Sequence, residues 1–144
     1  MPDSAQPDPA TVAAAGKVSE ALETVERARG HLYAFHQLTG SADLALDDAV
    51  RLLREAGHPA WADRISTELI GLNVLPDRWT FQVLEEYDDG YYRVFTTLER
   101  DVRAALTHGR RHLAEESMKR RRRTAGRAGH EQGAPTTAPV EEAS

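Results

Sequence analysis

Apolar residues recur at three- and four-residue intervals along most of this chain, the spacing that lines one face of a helix. Val18, Leu22, Val25, Ala28, Leu32 and Phe35 predict a helix over 11–39, with Gly40 where a helix C-cap prefers glycine. Ser41 or Asp43 then caps a second helix through Ala56, carried by Leu46, Val50 and Leu53 and stopped by Gly57. Pro59 suits the first turn of a third helix, which runs to Leu72 with Trp61 or Ala62, Ile65, Leu69 and Leu72 inward. Asn73 to Asp77, containing Pro76, reads as a turn. A fourth helix is predicted from Asp77 or Arg78 to Arg123, because Phe81, Leu84, Asp88, Tyr91, Phe95, Leu98, Val102 and Leu106 keep the same spacing. Asp89-Gly90 is a hairpin signal, but the residues around it do not alternate in polarity and the helical stripe continues past the glycine. Gly90 and Gly109 each cost about 1 kcal/mol inside a helix relative to Ala, so each calls for a local reason.

The expected fold class is therefore all-α: a helical bundle of two long antiparallel helices, 11–39 and 78–123, with two short helices between them. The helical domain spans 11–124, flanked by disordered tails at 1–10 and 125–144, which are too poor in large apolar residues to offset their ordering entropy. The last helix should outrun its partner, so that its basic end projects and the stripe from Leu98 to Leu113 favours self-association. With no cysteine, disulfides, thiolate metal sites and Cys nucleophiles are excluded. No apolar run approaches a membrane span and no signal-peptide pattern is present, which points to the cytoplasm.

Charge changes the picture more than composition does. The net charge is −5, yet Arg100–Arg127 holds ten Arg or Lys against three Asp or Glu, about +7, leaving roughly −12 elsewhere. Lys119, Arg120, Arg121, Arg122 and Arg123 form a candidate anion or partner contact. No aromatic residue interleaves this run and the whole chain is acidic, so the expectation is weak nonspecific anion attraction rather than specific nucleic-acid binding.

The densest chemistry lies between Trp79 and Phe95, which holds six of the nine aromatic residues and four carboxylates. Asp88 falls on the apolar stripe of the fourth helix, where an unpaired carboxylate would be prohibitive, with Glu85 one turn before it and Tyr92 one turn after. Glu26, Arg29, Tyr33 and His36 form a second polar line along the first helix. If the two seams face each other, they make either an ion-pair and tyrosine network, with Arg29 or Arg93 neutralising Asp88 or Glu85, or a metal site. Fe, Mn or Zn would then be held by Glu26, His36, Glu85 and Asp88, as in helical-bundle metalloproteins. His108, His112, Glu115 and Glu116 offer a second ligand set, the His pair four residues apart presenting both rings on one helical face. His31 and His36 are five residues apart and cannot chelate one ion from a single face. Trp61 and Trp79, each near a helix start, read as core-closing indoles.

Four segments, HLYAFHQLTG from His31, AGHPAWADR from Ala56, NVLPDRWTFQVLEEYDDGYY from Asn73 and GRRHLAEESMKRRRRT from Gly109, resemble an uncharacterised group of small actinobacterial hypothetical proteins. The resemblance fits the Arg- and Ala-rich coding bias and implies a bacterial cytoplasmic protein, with no activity attached. No nucleophile and base pair, phosphate loop or metal signature is present. The leading expectation is a non-catalytic helical interaction or accessory protein that binds a protein partner or itself. The alternative is the His and carboxylate metalloprotein, redox or hydrolytic.

Overall fold

The computed structural model describes residues 7–133, and the protein is all-α. Helix α1 spans Pro9–Glu55, α2 Pro59–Arg64, α3 Thr80–Tyr87, α4 Arg93–Leu106 and α5 Leu113–Arg122. Two π-helical turns, Ile65–Leu69 and Asp88–Tyr92, extend α2 and join α3 to α4 without a break. Among the described residues there is no strand, only an isolated bridge from Leu75 to Arg78 that closes a tight turn. Residues 1–6 and 134–144, the outer parts of the two expected tails, lie outside the described residues. No described helix is long and apolar enough to cross a membrane.

The described residues form two compact units, one from residues 7–25 with 93–133 and one from residues 26–92. In the second unit, hydrogen bonds pair Glu26 with Tyr92, Arg29 with Asp88 and His36 with Thr80, so α1 rises as α3 and its π turn descend. The ion pair of Arg54 with Asp63, 2.9 Å, ties α2 to the end of α1.

The break expected at Gly40 does not exist, because α1 runs through it as one 47-residue helix. The half-buried residues of α1 explain why. Ala15, Val18, Leu22, Val25, Arg29, Leu32, His36, Thr39, Asp43, Leu46, Val50 and Leu53 alternate by three and four without interruption. Arg29, His36, Thr39 and Asp43 are polar members of that seam, and an apolar-only reading sees their stretch as a gap. Asp43 does not cap a helix; its carboxylate faces the Gly71 amide at 3.5 Å.

The fourth predicted helix differs in two ways. At Asp88–Tyr92 the wider π turn inserts one residue and shifts the inward face, so Thr80, Tyr92 and Glu99 bond to residues of α1 and Leu84 and Phe95 are buried or half-buried, while Phe81, Tyr91 and Leu98 are exposed. The helix passes through Gly90, in this π turn, but ends at Leu106, where His108, Gly109 and His112 all take left-handed backbone (φ 54°, 75° and 59°). The basic end therefore does not project as an extension of α4. α5 starts anew after this loop, and Leu113, Ser117, Arg120 and Arg121 line a cleft of about 740 Å³ with Pro7, Pro9, Val12 and Ala13.

Arg103 organises that turn. Its carbonyl accepts the amides of Thr107 and Gly109, each at 2.9 Å, and the Thr107 hydroxyl, while its guanidinium holds Glu99 at 2.7 Å and reaches the Gly109 carbonyl at 3.4 Å. Ser19 donates to the same Glu99 carboxylate at 3.0 Å. Both charged side chains are about nine-tenths buried. Residues 125–133, read from the sequence as tail, form turns hydrogen-bonded to α5 and the residues just after it through Lys119, Arg123 and Thr124.

Truncating one member of a desolvated pair strands the other. Glu99→Ala should cost about 3–5 kcal/mol in urea unfolding, and the Glu99→Ala, Arg103→Ala double variant clearly less than the sum of the singles. Additive losses in that double-mutant cycle would show that the pair is not coupled.

Candidate functional site

The polar seam of residues 26–92 is built by the periodicity just described. Arg29 occupies an inward position of α1, and its guanidinium grips Asp88 with two parallel hydrogen bonds, Nε to Oδ1 at 2.8 Å and Nη2 to Oδ2 at 3.0 Å. The same Nη2 donates to the Tyr33 hydroxyl at 3.0 Å, and that hydroxyl lies 3.3 Å from Asp88 Oδ2. The rings of Tyr33 and Tyr92 stand 4.7 and 4.6 Å from the guanidinium carbon, so the cation is held by two aromatic rings as well as a carboxylate. Tyr92 donates its hydroxyl to Glu26 at 2.6 Å, and its ring stacks on Tyr87.

Five of the seven seam residues read from the sequence, Glu26, Arg29, Tyr33, Asp88 and Tyr92, thus form one network. His36 and Glu85 are not in it. His36 sits two turns further along α1 and pairs with the Thr80 hydroxyl at 2.6 Å, and Glu85 is exposed. Asp88 is about one-quarter exposed, less enclosed than its place on an apolar stripe suggested.

The proposed ligand set of Glu26, His36, Glu85 and Asp88 does not converge. Asp88 has both oxygens engaged by Arg29, and a guanidinium in that position excludes a cation. The second ligand set is also rearranged, since His108 and His112 lie in the left-handed loop rather than on one helical face. Among the described residues, the His and carboxylate group that does come together is Glu23, His112 and Glu115. Glu23 was not singled out in the sequence, and no local pattern marks it, because its neighbours in space are about 90 residues away.

The indoles also differ from expectation. Trp61 and Trp79 are 58 % and 50 % exposed, Trp61 under the Arg64 guanidinium and Trp79 donating Nε1–H to the Gly71 carbonyl at 3.2 Å. They do not close a core. Trp79 instead starts α3, its amide donating to the Gln82 side chain at 2.8 Å. Of the basic run, Lys119 bonds the Gln132 carbonyl and Arg123 that of His130, whereas Arg120, Arg121 and Arg122 are exposed on the last turn of α5.

The network sets its own pH limits. Hydrogen bonds from Arg29 lower the Asp88 carboxyl below its ordinary value, and Asp88 in turn raises Arg29. A depressed carboxyl contributes stability above its unfolded value near 3.8, and that contribution is lost as pH falls through the lower folded value. Tyr92 is shifted up by its hydrogen bond to Glu26, assisted by burial, so its contribution is present below the ordinary phenol value and lost as pH rises beyond it. Asp88→Ala should cost about 2 kcal/mol near neutral pH, Asp88→Asn less, and both should flatten the acid limb of a thermal-melting profile. Melting profiles from pH 3 to 7 that coincide in shape for wild type and Asp88→Asn would show that the pair does not govern acid stability.

Comparison of the chain with protein-family models, curated proteins and solved structures finds no match, so what the site does rests on its own geometry.

Proposed function

We propose that this is a cytoplasmic, non-catalytic helical interaction protein that works as a self-associated assembly. The observation that carries the reading is a shortage of core. Among the described residues the buried apolar side chains are Ala15, Ala62, Leu84 and Leu113, and no large side chain is fully buried. In the unit of residues 26–92, one short segment leaves Leu69, Leu72, Val74, Leu75, Trp79 and Phe81 between 38 % and 62 % exposed. Those six side chains, within thirteen residues of chain, leave on the order of 500 Å² of apolar surface in water. Phe35 and Leu38 on α1 add to the exposed apolar surface of the same unit.

A second copy is the occupant that the chain's own chemistry favours. Two helical hairpins that each lack a core complete one by pairing as a four-helix bundle. The basic stretch of about +7 and the remainder at roughly −12 give two copies a complementary charge pattern. The polar network supports a positioning role rather than chemistry, because each acidic oxygen of Asp88 is committed to Arg29. The exposed Arg120, Arg121 and Arg122 support weak anion attraction as a secondary property.

Sedimentation velocity over a range of concentration and salt tests the reading. The wild-type chain should sediment as a dimer at micromolar concentration, and the Leu72→Glu, Trp79→Glu double variant as a monomer of lower melting temperature. A wild-type chain that stays monomeric at all concentrations while unfolding cooperatively would overturn it.

A further inference from the structure

Residues 7–25 and 93–133 hold a group that the polar network does not use. Glu23 projects from α1, and His112 and Glu115 lie where the 107–112 loop turns into α5. One ligand atom from each lies within 4.8 Å of the others, and His112 Nδ1 stands 3.8 Å from Glu115 Oε2. His112 occupies the N-cap position of α5, yet its side chain makes no capping hydrogen bond. From these positions we infer that Glu23, His112 and Glu115 form a binding site for a divalent transition metal, with Zn²⁺ the best fit.

The donor set selects the ion. One imidazole and two carboxylates make a borderline N/O site of the kind that takes Zn²⁺, whereas Mg²⁺ and Ca²⁺ prefer oxygen ligands alone. Two carboxylates cancel the charge of a divalent ion. Bonds of about 2.0–2.2 Å place the ligand atoms of a tetrahedral site roughly 3.3–3.6 Å apart, so the group must contract by about an ångström. All three side chains are exposed, which leaves their rotamers free to do so. The neighbouring cation Arg110 is paired with Glu116 at 3.1 Å, and water would complete the coordination. Such an ion would tie α1 to the start of α5 across the left-handed loop. The site belongs to one chain and is independent of self-association.

Isothermal titration of tag-free, chelator-treated full-length protein with Zn²⁺ tests the site, with Glu23→Gln, His112→Gln and Glu115→Gln beside the controls Glu20→Gln and His108→Gln. One saturable ion per chain is expected, weakened about tenfold or more by each of the first three substitutions and unchanged by the controls. Zn²⁺ should also raise the melting temperature of the wild type but not of Glu23→Gln. Glu23 lies on the exposed face of a long helix, so its substitution leaves the fold intact and decides the matter even where His112→Gln disturbs the loop. No saturable binding, or binding that Glu23→Gln leaves unchanged, would overturn the inference.

Discussion

Charged groups placed on inward faces must find partners there, and the placement of the long helices in each unit follows from that constraint. A carboxylate removed from water without a partner costs far more than any single apolar contact returns. Asp88 is satisfied by a planar fork with two donors in fixed geometry, and Glu99 by Arg103 together with the hydroxyl of Ser19. Apolar surfaces slide past one another at little cost. A bidentate guanidinium and carboxylate pair does not, so Arg29 and Asp88 set the register of α1 against α3 in their unit.

The π turn at Asp88–Tyr92 belongs to the same solution. An uninterrupted α-helix would carry the inward stripe from Asp88 to Tyr91, whereas the inserted residue brings Tyr92 inward to meet Glu26 and cover the guanidinium. Gly90 lies in that turn, and the space around it is empty for a Cβ, so close approach of a neighbour does not explain it. Its looser backbone suits a widened turn better than a β-branched or bulky residue would.

The helical class, the two long elements and most of the polar seam were legible because period and charge are local properties of a sequence. What escaped reading has physical causes. His36, Thr39 and Asp43 fill seam positions with polar atoms, so the continuity of α1 through Gly40 was invisible to a count of apolar residues. The end of α4 is closed by the Gly109 amide donating to the Arg103 carbonyl from left-handed backbone, a contact that exists only once the loop has formed. Glu99 and Arg103 were readable as a Glu and Arg four residues apart, a pattern so common on exposed helices that burial alone distinguishes it. Glu23 meets His112 only through tertiary packing, and sequence spacing carries no trace of it.

Polar pairing inside and apolar exposure outside are two sides of one allocation. A chain of this length has few large apolar residues to place, and in residues 26–92 the polar seam takes inward positions that a self-sufficient hairpin would fill with Leu or Ile. Ion pairs fix geometry well but add little net stability, because desolvation offsets most of their attraction. A hairpin built this way is specified in register and short of hydrophobic stabilisation, and its remaining apolar side chains lie where another surface can reach them. Register from polar groups within the chain and stability from association between chains is the division that the proposed assembly requires. Within that proposal, the network around Arg29 fixes the register of α1 against α3, while the bonds of His36 to Thr80 and of the Gly71 amide to Asp43 hold the apolar segment from Leu69 to Phe81 against α1.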